Sequence, residues 1–225
     1  IKNLIDIKED GSFWLNQKYF DYATGLTMTN DKFDNLFGQK ARDSKKEQLT
    51  QFHMDIAASI QKVTEDIMIK IVKSLKEEFN VPNLCLAGGV ALNCVANGKI
   101  LKSKIFNNIW IQPAAGDAGG SLGAALALWH IDQNNPREVN LEDGMQGSYL
   151  GPEYKQSEIE KELDEIGAVY QIKDEEDLID CTAEDLSKGD AIGWFQGRME
   201  FGPRALGGRS ILGDPRSEIM QKNLN

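Results

Sequence analysis

The stretch LCLAGGVALN (Leu84–Asn93) runs from a short apolar segment into paired glycines and then a helix-forming segment, and AAGDAGGSLGAA repeats that order around Asp117. Two strand-to-helix turns in series commit this part of the chain to an α/β arrangement. Gly88 and Gly89 carry no Cβ, so the backbone can bend sharply and approach a phosphate, while the first amides of the following helix are unpaired donors facing an anion. The same glycines would serve equally well as tight βα connections that hold no ligand. Spacing alone supports both readings.

Apolar residues at Ile56, Ile60, Val63, Ile67, Ile71 and Leu75 recur every three or four positions over Lys45–Phe79. This is the stripe of a long amphipathic helix, which Val81-Pro82 should stop because proline disfavours helical geometry in the residue before it. The pattern then predicts a strand over Leu84–Ala87, a helix over Val90–Lys102, a strand over Asn108–Gln112 and a helix over Ala118–His130. Such a β-α-β-α order implies adjacent parallel strands with ligand groups at their carboxyl ends. Residues 132–151, DQNNPREVNLEDGMQGSYLG, are rich in turn formers and make the expected domain boundary. Beyond them, 156–166 and 174–188 read as short acidic amphipathic helices, and Ala191–Gln196 as a buried strand opening into GRMEFGPRALGGRSILGDPR. Residues 1–45, which mix Phe13, Trp14, Tyr19, Phe20 and Tyr22 with polar positions, read as an entry in mid-protein.

With 225 residues, 41% of them hydrophobic, the chain can bury a core. It contains neither an apolar stretch long enough to cross a bilayer nor a signal-like N-terminus, so a cytoplasmic location and no membrane partner are expected. Cys85, Cys94 and Cys181 lack CxxC spacing and are read as reduced thiols, with Cys85 a small core residue. The net charge of -10 is unevenly spread: 17 Asp/Glu against 4 Lys between Glu138 and Asp190, but 5 Lys/Arg against 3 Asp/Glu from Ala191 onward. The acidic stretch argues against nucleic acid as a partner.

Against that background Arg198, Arg204, Arg209 and Arg216 stand out as an anion-seeking group. Gly197, Gly202, Pro203, Gly207 and Gly208 punctuate them, and such a loop can aim several guanidinium groups at one phosphate. The competing reading is a set of surface salt bridges to the acidic helices upstream; the glycines favour the anion site. Asp117 sits at a helix start, where its carboxylate could cap the helix or reach a metal. His53 and His130 are far apart on apolar helical stretches and are read as ordinary surface or core histidines. Asn93, one turn into the predicted helix, could reach a ligand or only satisfy local backbone.

Taken together, LAGGVALNCVANGKIL, AAGDAGGSLGAAL and GWFQGRMEFGPRALGGRSILGDPR closely resemble the NodU/CmcH family of O-carbamoyltransferases. The first two motifs are shared in outline with tRNA threonylcarbamoyladenosine transferases and with the actin-like ATPases. The resemblance implies an ASKHA-type, RNase H-like domain with a mixed or parallel sheet over residues 1–140, followed by a linker and the start of an α+β YrdC-like domain over 141–225. It implies ATP and carbamoyl phosphate as reactants, carbamoyladenylate as the intermediate and a hydroxyl-bearing small molecule as acceptor, and it is compatible with a homodimer. By motif, Gly88, Gly89, Val90, Asn93 and Gly116 would hold the adenylate. Asp117 would be one ligand of a divalent metal such as iron or magnesium, and Arg198, with Arg204 and Arg209, would bind phosphate during adenylate formation. Three departures accompany the match. The family's paired histidine ligands lie upstream of the matched region, the usual GPRALGNRS has Gly208 in place of Asn, and the family continues past residue 225, so this segment is expected to be catalytically incomplete alone. The alternatives are a tRNA threonylcarbamoyl transferase-like enzyme and a nucleotide-binding domain without chemistry.

Overall fold

Two short strands open the chain in the computed structural model, which describes residues 2–224: β1 (Ile5–Ile7) pairs antiparallel with β2 (Phe13–Leu15), Ile5 opposite Leu15. A two-turn helix, α1 (Asp31–Phe37), follows under an Asn30 cap whose side chain accepts the Lys32 N–H. The apolar stripe then becomes α2 (Gln51–Phe79). At its start the Thr50 N–H donates to His53 Nδ1 at 3.0 Å, so this histidine serves as a capping group. At its end Asn80 takes a left-handed conformation (φ 46°) and stops the helix before Val81-Pro82 is reached.

Next come β3 (Asn83–Leu86), α3 (Cys94–Ser103) and β4 (Asn108–Ile111), with β3 paired to β4. The predicted helix over 90–102 is split. Gly89–Leu92 form a single 3-10 turn, and α3 starts only after Asn93, whose non-helical backbone and side-chain oxygen, accepting the Ala96 N–H at 3.1 Å, make it the N-cap. Val72, Leu84, Ile100 and Phe106 form the buried cluster that holds α2, α3 and this strand pair together. Cys85 points the other way and is exposed, because strand residues alternate faces and Leu84 takes the inner one.

Later in the chain lie α4 (Asp117–Ala127), which runs into a π-helical turn at Leu128–Asp132, then α5 (Gln156–Glu165) and α6 (Glu175–Lys188). Asp174 caps α6 and Glu175, Glu176 and Asp177 fill its first turn, the end at which the helix dipole favours negative charge. The hairpin of β5 (Ile192–Phe195) and β6 (Arg209–Leu212) is antiparallel, with Phe195 opposite Arg209, and α7 (Met220–Leu224) ends the described residues.

The result is a mixed α/β protein in two compact units, one of Ile1–Leu86 with Asn93–Trp110 and one of Ala87–Leu92 with Ile111–Asn225. Among the described residues the strands form three separate two-stranded sheets and no single extended mixed or parallel one. Each strand has only three or four residues and pairs along one edge. No helix among the described residues is long and apolar enough to cross a membrane.

Candidate functional site

Three sequence motifs meet around residues 113–116, all within the second unit. From the first motif, the Gly88 N–H donates to Ala115 O at 2.8 Å, tying the paired-glycine bend to the turn that leads into α4. From the second, Gly119 lies so close beneath this segment that a Cβ would stand 2.1 Å from Ala114 O. From the third, Gly202 (φ 123°) packs on the other side, where a Cβ would stand 3.2 Å from Pro113 O and 3.3 Å from Ala114 Cα. Ala114 and Ala115 are buried between these approaches. Glycine is required at both positions because backbone, which cannot swing aside as a side chain can, occupies the space.

Around the meeting point, Gly88, Gly89 and Gly116 border open space, and Val90 is exposed. Gly116 is the N-cap of α4 and supplies no side-chain hydrogen bond; the Gly119 N–H turns back onto Gly116 O at 3.1 Å, which leaves the Asp117 and Ala118 amides at the helix start without a capping side chain. Asp117 is the first residue of α4 and is exposed. Its carboxylate sits where the dipole favours it, beside donors that also attract external anions.

Asn93 belongs to the first unit, and its amide is engaged there. It exchanges two hydrogen bonds with the Gln61 side chain, at 2.9 and 3.2 Å, in addition to capping α3. Gln61 also donates to buried Glu65, which is ion-paired to Lys99. The Lys99 and Gln61 hydrogen bonds lower the Glu65 pKa, so this network is a charged pin between α2 and α3.

The arginine segment is organised by an acid, Glu200, that its glycine and arginine pattern does not single out. The Glu200 side chain is wholly buried, and its Oε1 accepts three backbone N–H groups: Leu206 at 3.0, Gly208 at 2.7 and Arg209 at 3.0 Å. Its Oε2 accepts Arg209 Nε at 3.0 Å, and its backbone carbonyl accepts the Arg209 Nη2 at 2.7 Å. Burial alone would raise this carboxyl, but the amide and guanidinium hydrogen bonds outweigh it and bring the pKa down to about 2. Arg216 does the same for Asp214, whose pKa also falls to about 2.

Arg198 donates to Gly151 O at 2.8 Å and to Glu153 at 3.1 Å. The carboxylates that these arginines engage are therefore Glu153, Glu200 and Asp214, not those of the acidic helices α5 and α6. Arg204 is exposed and, among the described residues, has no hydrogen bond or ion pair. Gly208 is buried, and a Cβ there would stand 3.0 Å from Tyr149 Cε1 and 3.1 Å from Arg198 O, so a larger residue would need both Tyr149 and the main chain at Arg198 to give way.

Glu200 and Asp214 both titrate below their ordinary values of 4.5 and 3.8, so their contribution to folding is complete above those values and is lost as pH falls toward about 2. Acid titration followed by circular dichroism should show stability draining in that window, less steeply in Glu200→Gln; a flat profile there would contradict the assignment.

Among the described residues no group of three or more His, Cys, Asp or Glu is placed to hold a metal ion. Asp117 offers a single carboxylate, His53 caps α2, and His130 Nδ1 lies 3.2 Å from Asn135 O. The residues present thus do not assemble a metal centre.

Comparison with known proteins gives two family matches: Carbamoyltransferase N-terminus over residues 1–126 and Carbamoyltransferase C-terminus over residues 183–225. An uncharacterised protein of Synechocystis is 57% identical over 227 aligned residues, covering 100% of this chain and 37% of that protein. Nodulation protein NolNO of Sinorhizobium fredii is 44% identical, over 78% of this chain and 25% of its own length. Nodulation protein NolO of Bradyrhizobium diazoefficiens is 43% identical, over 78% of this chain and 32% of its own. The chain spans about a third of the length of these relatives.

Proposed function

The chain belongs to the carbamoyltransferase family, and from that premise we propose that it is a segment of an ATP-dependent O-carbamoyltransferase. In this reading carbamoyl phosphate, ATP and water give carbamoyladenylate, pyrophosphate and phosphate. The carbamoyl group then passes to a hydroxyl of a small molecule or sugar, with AMP leaving. The observation that carries it is the meeting of both glycine turns and the arginine segment at residues 113–116, which brings uncapped helix amides and guanidinium groups into one unit.

The main-chain groups of Gly88, Gly89, Val90 and Gly116 would face the nucleotide phosphates, supported by the open space beside the glycines. Arg204 is the guanidinium free to meet phosphate; Arg198 would have to exchange Glu153 for it, and Arg209 acts from its bond to Glu200. Asn93 would take part only by releasing Gln61. Asp117 would give one carboxylate to a divalent metal whose other donors are not among the described residues. Preorganised donors of this kind stabilise charge that develops in phosphoryl displacement. An ASKHA-type fold for the first part and a YrdC-like fold for the later part belong to the same proposal, as do a cytoplasmic location and a homodimer.

The complete protein that carries this segment is expected to release pyrophosphate only when ATP and carbamoyl phosphate are both supplied. Absence of pyrophosphate and of carbamoyladenylate, with both reactants bound, would overturn the activity.

A further inference from the structure

We propose that Glu200 is a positioning residue: it closes residues 201–208 into a fixed loop that presents Arg204, the loop's unspent guanidinium, to a phosphoryl oxyanion. The inference deepens the carbamoyl transfer reading and rests on it for the identity of the anion. One buried carboxylate holds the returning limb of the loop by the amides of Leu206, Gly208 and Arg209. From the other side the Tyr149 hydroxyl donates to Leu206 O at 2.9 Å, and the Gln196 side chain donates to Gly207 O at 3.3 Å. Donors and acceptors of that limb are both engaged, while Pro203, Arg204 and Ala205 at the tip stay exposed.

The charges are arranged to the same end. Arg209 neutralises Glu200 inside the loop, so the buried acid does not draw Arg204 inward. Arg198 and Arg216 are each matched by a carboxylate of their own. The segment therefore carries a single uncommitted guanidinium on backbone that is already held, so a phosphoryl group that meets this planar fork of donors has only the Arg204 side chain left to order. Carbamoyl phosphate and the phosphates of ATP share this chemistry.

The test uses the complete protein, with calorimetric binding of carbamoyl phosphate and of ATP measured separately, and amide hydrogen exchange at residues 206, 208 and 209. Arg204→Ala should weaken binding of one of the two reactants by about tenfold or more, and that reactant is the loop's anion. Glu200→Gln should speed exchange at the three amides and weaken the same reactant to a similar degree. The double variant should bind no worse than Arg204→Ala alone, since Glu200 acts through Arg204. Full binding in Glu200→Gln, or losses that multiply in the double variant, would overturn the proposal.

If Glu200→Gln fails to fold, Tyr149→Phe removes only the Leu206 tether and should shift exchange and binding in the same direction to a smaller extent; no shift there would overturn it too. Arg204-dependent and Glu200-dependent binding without pyrophosphate release would sink the carbamoyltransferase reading and leave this one standing. Wild-type KM for both reactants in both variants would do the reverse.

Discussion

Gly119→Ala is expected to destabilise the second unit by about 3 kcal/mol or more, since overpacking against backbone leaves only main-chain movement as relief. The added methyl would fall 2.1 Å from Ala114 O, a separation no carbon and oxygen can share, on the segment where three motifs meet. Gly120 and Gly123 lie in the same helix and face open space. Alanine at either should do the opposite, adding roughly 0.5–1 kcal/mol by restricting the unfolded chain and favouring the helix. Thermal unfolding by circular dichroism separates the cases: equal midpoints for the alanine variants at 119 and 120 would mean that α4 does not start against Ala114.

Glu200→Ala is expected to lower the unfolding midpoint by roughly 10 °C, because removing one member of a buried ionic network strands the others. Three amides and Arg209 Nε would lose their acceptor at once, leaving the guanidinium only the backbone carbonyl at position 200. Glu153→Ala removes the partner of Arg198 from an exposed pair and should shift the midpoint by no more than about a degree or two. Similar shifts for the two variants in a calorimetric scan would show that the loop does not depend on the buried acid.

Much of the helical fold was legible. The stripe from Ile56 to Leu75 marked α2 because apolar residues on one face of a helix must recur at its period, and the acidic amphipathic pattern over 174–188 marked α6. The hairpin of β1 and β2 was not, since three-residue strands give too few alternations to register as a period. β6 was hidden for another reason: Arg209–Leu212 reads as the end of a glycine and arginine loop, and only pairing with β5 makes it a strand.

The glycine turns and the arginine loop stand out in the sequence as glycine-punctuated segments, but their junction does not, because it depends on Gly202 reaching Pro113, nearly ninety positions earlier. Glu200 left a trace that could have been used. It is one of few acids in an otherwise basic stretch, placed before several glycines whose amides need acceptors. Asn93 reads as one turn inside a helix because the 3-10 turn at Gly89–Leu92 has nearly the same apolar spacing as an α-helical start.

The Glu200–Arg209 pair also limits how this sequence can drift over generations. A lineage that loses the acid first carries a stranded cation and a slack loop, and one that loses the base first carries a buried charge with only amides to answer it. Either route passes through a poorly folding ancestor, so positions 200 and 209 should change together or not at all.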